Sequence, residues 1–125
     1  MDENSIRRIQ PHSKEAEQSV IGAMLMDRDV ISDISDLLSR DDFYNAQYGI
    51  LYEAMVELYN EGKPVDMVTL NERLRMKEVP EEISSPTFIA GIISAVPTSA
   101  NAKHYADIVQ EKSLLRKLIK YSENL

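Results

Sequence analysis

The sequence predicts an all-α fold, a compact helical head of about five helices followed by a long C-terminal helix. Three observations predict it. Apolar residues recur three and four apart in successive segments, and no segment alternates with period two for long enough to make a strand. Hydroxyl, carboxylate, glycine and proline residues fall between those segments, where helices start and stop. The last apolar pattern runs on almost to the end of the chain.

Residues 1–12 read as a flexible polar leader. Ser13 offers a capping hydroxyl to a first helix over 14–26, and Glu15 and Glu17 put negative charge where unpaired N–H groups favour it. Ala16, Val20, Ala23 and Met24 form its stripe, widened by Ile21 and Leu25. Asp29 is expected to cap a second helix reaching Leu38. Asn45 or Asp42 caps a third, with Tyr48, Leu51, Tyr52, Met55, Leu58 and Tyr59 as its apolar set. Gly62 suits the left-handed position after that helix, and Pro64 prevents its continuation. Asp66 caps a fourth helix carrying Met67, Leu70 and Leu74, with Lys77 at its cation-favouring end. "VPEEISS" reads as a turn region. Ser85 then Pro86 is a hydroxyl cap followed by a proline whose missing N–H costs nothing. Phe88, Ile89, Ile92, Ile93 and Val96 make the fifth helix, expected to be the most buried. Pro97 ends it, because the residue before a proline is pushed out of the α region. Thr98 or Ser99 is expected to cap the last helix.

That last helix changes character along its length. Ala102, Tyr105, Ala106 and Val109 suit packing on the head. Leu114, Leu115, Leu118 and Ile119 follow among Lys112, Arg116, Lys117 and Lys120. A helix of about 24 residues spans about 36 Å, wider than so small a head, so its far half is expected to project. Projecting leucines seek another helix. The domains expected are thus a leader (1–12), a helical head (13–97) and a long helix (98–125).

Composition narrows the function. Fourteen basic against 21 acidic residues give a net charge of −7, poor for clamping phosphate backbones. No cysteine is present, which removes disulfides and thiolate metal sites. No segment has the length of a membrane span, and the N-terminus has no apolar run of a signal peptide, so a cytoplasmic protein is expected. The only Gly-Lys pair, Gly62-Lys63, precedes Pro64, with Glu57 where a phosphate loop needs its first glycine. His12 and His104 are not at ligand spacing and read as surface residues. Asp33 and Asp36 share a helical face and Asp41-Asp42 are adjacent, but in so acidic a chain such pairs read as solvated faces and caps. A hydrolase built on Asp33 and Asp36 is the enzymatic alternative. The Tyr48, Tyr52, Met55, Tyr59 stripe reads as core rather than a base-stacking platform. Lys112, Arg116, Lys117 and Lys120 are the only basic cluster, and a stand-alone DNA-binding helical module would have to use it. No catalytic, cofactor-binding or metal residue is expected.

Three ordered blocks carry a likeness: "PHSKEAEQSVIGAML" (11–25), "KPVDMVTLNERL" (63–74) and "AVPTSANAKHYADIVQEKSLLRKLI" (95–119). The chain resembles the N-terminal domain of the bacterial replicative DNA helicases, the DnaB family. The resemblance implies a helical head followed by a helical hairpin, with the long helix as its first arm. It implies a parent that is a homohexameric ATP-dependent DNA helicase, whose N-terminal domains form a collar of three dimers. It further implies docking of primase and of a helicase loader, DNA contact only through the parent hexamer, and no membrane partner. ATP and Mg2+ would belong to the motor domain, which this sequence lacks together with the second hairpin arm. The chain is therefore read as a fragment without catalytic residues. Leu114, Leu115, Leu118 and Ile119 are the expected hairpin and oligomer interface. The helicase-binding helical domain of primase is a second reading of the same fold.

Overall fold

Local punctuation sets most of the helix boundaries. The computed structural model describes residues 9–96 and 98–124, and these form α1 (Lys14–Met26), α2 (Arg28–Ser35), α3 (Ala46–Asn60), α4 (Met67–Met76), α5 (Glu81–Ser84), α6 (Pro86–Ser94) and α7 (Ala102–Glu123). A 3-10 turn, Arg40–Asp42, links α2 to α3, and there is no strand among the described residues. The first eight residues of the expected leader, and Pro97 as the expected helix stop, lie outside the described residues, as does Leu125.

Four caps follow the side-chain chemistry directly. Ser13 Oγ accepts from the Ala16 N–H at 3.1 Å, Asn45 Oδ1 from Gln47 at 3.1 Å, and Ser85 Oγ from Phe88 at 3.1 Å. Asp66 makes a reciprocal box: its Oδ1 accepts from the Thr69 N–H at 2.9 Å, and its own N–H donates to Thr69 Oγ1 at 3.0 Å. At the end of α3, Gly62 takes φ 72°, which lets its N–H reach Tyr59 O and the Lys63 N–H reach Leu58 O, both at 3.0 Å.

Elsewhere the structure corrects the sequence reading. Asp27, not Asp29, caps α2, accepting from the Asp29 N–H at 3.0 Å. That helix stops at Ser35 instead of Leu38, and the freed Leu38 carbonyl accepts the buried Tyr52 hydroxyl at 2.6 Å. "VPEEISS" holds the one-turn α5, too short to show periodicity. The helix expected to be most buried, α6, fully buries only Ile89 and Ile92, whereas α1 and α3 bury seven residues each. The reason is position: α1 packs against α2, α3, α6 and α7 at once, so most of its circumference is covered. Neither Thr98 nor Ser99 caps α7. Asn101 occupies that place without a side-chain bond, while Thr98 Oγ1 accepts from the Ala100 N–H at 3.1 Å within the preceding bend. Tyr48, Tyr52 and Met55 are buried in the common core, as their helical spacing suggested.

Ionic contacts hold α4 to α3. Arg73 donates to both Glu61 oxygens at 2.7 Å and to Glu57 at 3.1 Å, while Lys77 reaches Glu57 at 2.8 Å and Glu53 at 3.2 Å. The bonds from Arg73 and then Lys63 pull the Glu61 carboxyl down to about 2.

Candidate interaction surface

The long helix has two faces, and the structure separates them. Ala102, Ala106, Val109 and Ser113 are buried against the head, one every three or four residues. The same face continues through Arg116 and Lys117, both of which bond to the head. Leu114, Leu115, Leu118 and Ile119 lie on the other side, 56%, 38%, 55% and 37% exposed. Their exposure therefore has a cause different from the one expected. The helix has 22 residues, about 33 Å, and stays bonded to the head as far as Lys117. Only the last six residues extend past that point, about 9 Å. The leucines form an outward face more than a projecting half.

Two residues nearer the head share that face. Asp107 and Glu111 precede Leu114 and Leu118 at helical spacing, and both are exposed. The outward surface is thus acidic at the base of α7 and apolar towards its end. A shallow groove beside it is lined by Asp42, Asp107, Gln110, Glu111, Leu114 and Lys117.

Asp42 joins the helix to the head. Its Oδ2 accepts from the Ser39 N–H at 2.8 Å, which fixes the 3-10 turn. Its Oδ1 accepts from the Ser113 hydroxyl at 2.7 Å and from Lys117 Nζ at 3.2 Å. Burial raises the carboxyl pKa, but the Ser39 N–H, the Ser113 hydroxyl and the Lys117 charge outweigh it, and the net shift is below the ordinary value of 3.8. Arg116 binds beside it: Nη2 donates to Asp42 O at 2.7 Å and Nη1 to Pro11 O at 2.8 Å. Its guanidinium also lies 5.5 Å from the centre of the Tyr44 ring. His12 stacks on that ring with centroids 4.0 Å apart and planes 13° apart. The solvated leader residue expected at His12 is corrected: an aromatic platform and a bonded carbonyl hold the segment down.

Glu17 is the second buried acid, 1% exposed. Its two oxygens accept from the backbone N–H groups of Tyr44 at 2.9 Å and Asn45 at 3.1 Å, so α1 supplies the anion at the start of α3. Sequence reasoning placed Glu17 only as a first-turn charge of its own helix. Its partners lie 27 and 28 residues away, beyond any local pattern.

The other acidic and histidine candidates lie on the surface. Asp33, Asp36 and Asp41 are exposed, and no group of three His, Cys, Asp or Glu suited to a metal occurs among the described residues. His104 is exposed and touches Tyr105 edge-on at 5.6 Å. Of the basic cluster, Arg116 and Lys117 are committed to contacts within the chain. No helix among the described residues is long and apolar enough to cross a membrane.

Comparison with known proteins adds identity to this geometry. The family model described as the DnaB-like helicase N-terminal domain matches residues 9–111. The replicative DNA helicase DnaB of Geobacillus stearothermophilus is 40% identical over 125 residues, covering 100% of this chain and 28% of that protein. The replicative DNA helicase DnaC of Bacillus subtilis is 40% identical over 113 residues, covering 90% and 25%. The chain thus spans about a quarter of the length of these curated relatives. The crystal structure of the N-terminal domain of DnaB helicase from Mycobacterium tuberculosis superimposes with TM-score 0.89 at 39% identity, covering 93% of this chain and 81% of that one. The N-terminal domain of DnaB helicase from Helicobacter pylori, described with its interactions with primase, gives TM-score 0.77 at 21% identity, covering 99% and 94%; at that identity the likeness is one of fold.

Proposed function

We infer function from one premise: the chain belongs to the DnaB-like helicase N-terminal domain family. The domain is a non-catalytic interaction module of a bacterial, cytoplasmic replicative DNA helicase. Its role is to hold neighbouring subunits together in the collar of the hexamer and to present that collar to primase, and loader contact falls to the same collar. Unwinding, with ATP and Mg2+, belongs to a motor domain elsewhere in the parent. The observation that carries this reading is the outward face of α7. Four large apolar side chains stand there in one band, whereas the head's own core is closed beneath the opposite face. A second helix laid antiparallel on the band, as the hairpin arm in cis or an arm of a neighbouring subunit, would cover it.

The face also sets what that helix must look like. It needs apolar residues opposite Leu114 and Leu118, and Lys or Arg opposite Asp107 and Glu111, since like charges there would oppose docking. The primase alternative is disfavoured by the run of helicase relatives near 40% identity. The DNA-binding alternative is disfavoured by the internal engagement of Arg116 and Lys117.

Isothermal titration of primase from the same organism into this chain, and into a chain extended through the second arm, tests the docking role. Saturable heat with at least the extended, self-associated chain is expected. Absence of heat with both overturns primase docking and leaves the assembly role to be judged by self-association.

A further inference from the structure

Arg116 occupies an unusual place, because one guanidinium bonds two backbone carbonyls from distant parts of the chain. Pro11 O belongs to the segment ahead of α1, and Asp42 O to the 3-10 turn 31 residues later. The same turn holds Ser113 and Lys117 through the Asp42 side chain. Residues 113, 116 and 117 lie on one side of α7, so a single turn of the head grips the helix at three adjacent points. Over this junction lie the Tyr44 ring and the stacked His12 ring. Gln10, Lys120 and Glu123 line the adjoining surface, which carries the N-terminal segment along the last turns of the helix.

We propose that Arg116 and Asp42 form a clasp that couples the docking of residues 9–12 to the rigidity of α7 from Leu114 onward. The physical basis is the fork of the guanidinium, whose planar donors are pre-organised by one another. When Pro11 leaves, one donor face is freed, and Arg116 can swing off the Tyr44 ring and lose its hold on Asp42 O. When α7 moves, the donor that holds Pro11 moves with it. A coupling of this kind is reciprocal: each end shifts the equilibrium at the other by the same factor. The consequence is a strap whose release would loosen the outward leucine face. Only that consequence rests on the interface reading above; the coupling belongs to the isolated chain and stands or falls without a partner.

The test uses the full chain and two perturbations, one at each end. His12→Ala removes the stack without touching α7, and amide hydrogen exchange is followed in residues 114–120. Exchange there is expected to quicken about fivefold or more, with α3 amides 46–60 unchanged. Arg116→Gln perturbs the other end, and the proton shifts of the His12 ring report the stack, since a ring at 4.0 Å displaces them strongly. Those shifts are expected to move towards free-histidine values. Arg116→Lys keeps the charge but cannot bridge both carbonyls, so it too should release His12; it replaces the glutamine variant if that one fails to fold. Unchanged exchange at 114–120 in His12→Ala, or an unmoved His12 ring in a folded Arg116 variant, overturns the clasp.

Discussion

Gly22 lies in the middle of α1, and a Cβ added there would sit 2.4 Å from Val96 Cγ2 and 2.9 Å from Val96 Cβ. Carbon atoms pack best at about 3.5–4.0 Å, so Gly22→Ala creates an overlap of more than about 1 Å. Val96 cannot turn out of the way cheaply. It is buried and stiff at χ1, and its Cβ is itself inside the forbidden distance. The chain at Val96, just beyond α6, must back away from α1, at a cost of about 1–3 kcal/mol for overpacking. Replacing a mid-helix glycine by alanine returns about 1 kcal/mol. The net expectation is destabilisation by up to about 2 kcal/mol, or a fall of up to about 1 M in the urea midpoint at an m-value near 2 kcal/mol/M. Urea unfolding followed by circular dichroism measures it. Gly91→Ala is the matched control: that glycine is in α6 with nothing within 4 Å of an added Cβ, so it should gain about 0.5–1 kcal/mol. If Gly22→Ala stabilises as much as Gly91→Ala, the reasoning about close approach of α1 to Val96 is refuted.

Three further outcomes are expected. The Asp42 carboxyl has its pKa lowered in the folded chain, so its contribution is fully present above the ordinary value of 3.8 and is lost as pH falls through the lower folded value. Urea midpoints taken from pH 7 down to pH 2 should show that loss in the native chain and a flatter profile in Asp42→Asn, with about 2 kcal/mol lost at pH 7 from its broken bonds; an identical profile in the two would contradict the role given to Asp42. Glu78, at φ 57°, occupies the left-handed position after α4 that glycine fills after α3. Glu78→Gly should raise stability by about 0.5–1 kcal/mol in thermal melts, and a lower Tm would count against the argument. Carbon-13 NMR should find the Glu61 carboxyl titrating at about 2 and returning towards its ordinary range in Arg73→Ala; a Glu61 indifferent to Arg73 would contradict the ion pairing.

What the sequence made legible was local. Ser13, Asp66 and Ser85 could be read as caps because the N–H groups they accept lie three residues away. Gly62 and the core tyrosines were legible for the same reason: a turn residue and a helical repeat declare themselves within a short window. Asp27 was missed in favour of Asp29 because two acids two residues apart compete for one cap, and only the backbone decides. Glu17, Asp42 and Gly22 were opaque as buried or close-packed residues, since their partners lie tens of residues away and no alternation marks them. The leucines of α7 could be recognised as unpaired, but their cause could not. Telling an outward face from an overhang required knowing that the head follows the helix as far as Lys117.

The central claim is that this outward face, together with the second arm, is where the domain joins a neighbouring subunit. Sedimentation equilibrium of a chain lengthened by about 40 residues, enough for a turn and a second arm, tests it most directly against the same chain carrying Leu118→Asp. Leu118 is 55% exposed, so the substitution should leave the head intact. The account predicts concentration-dependent association of the lengthened chain and a monomer for the variant. A lengthened chain that stays as monomeric as its Leu118→Asp variant at the highest concentrations would contradict it.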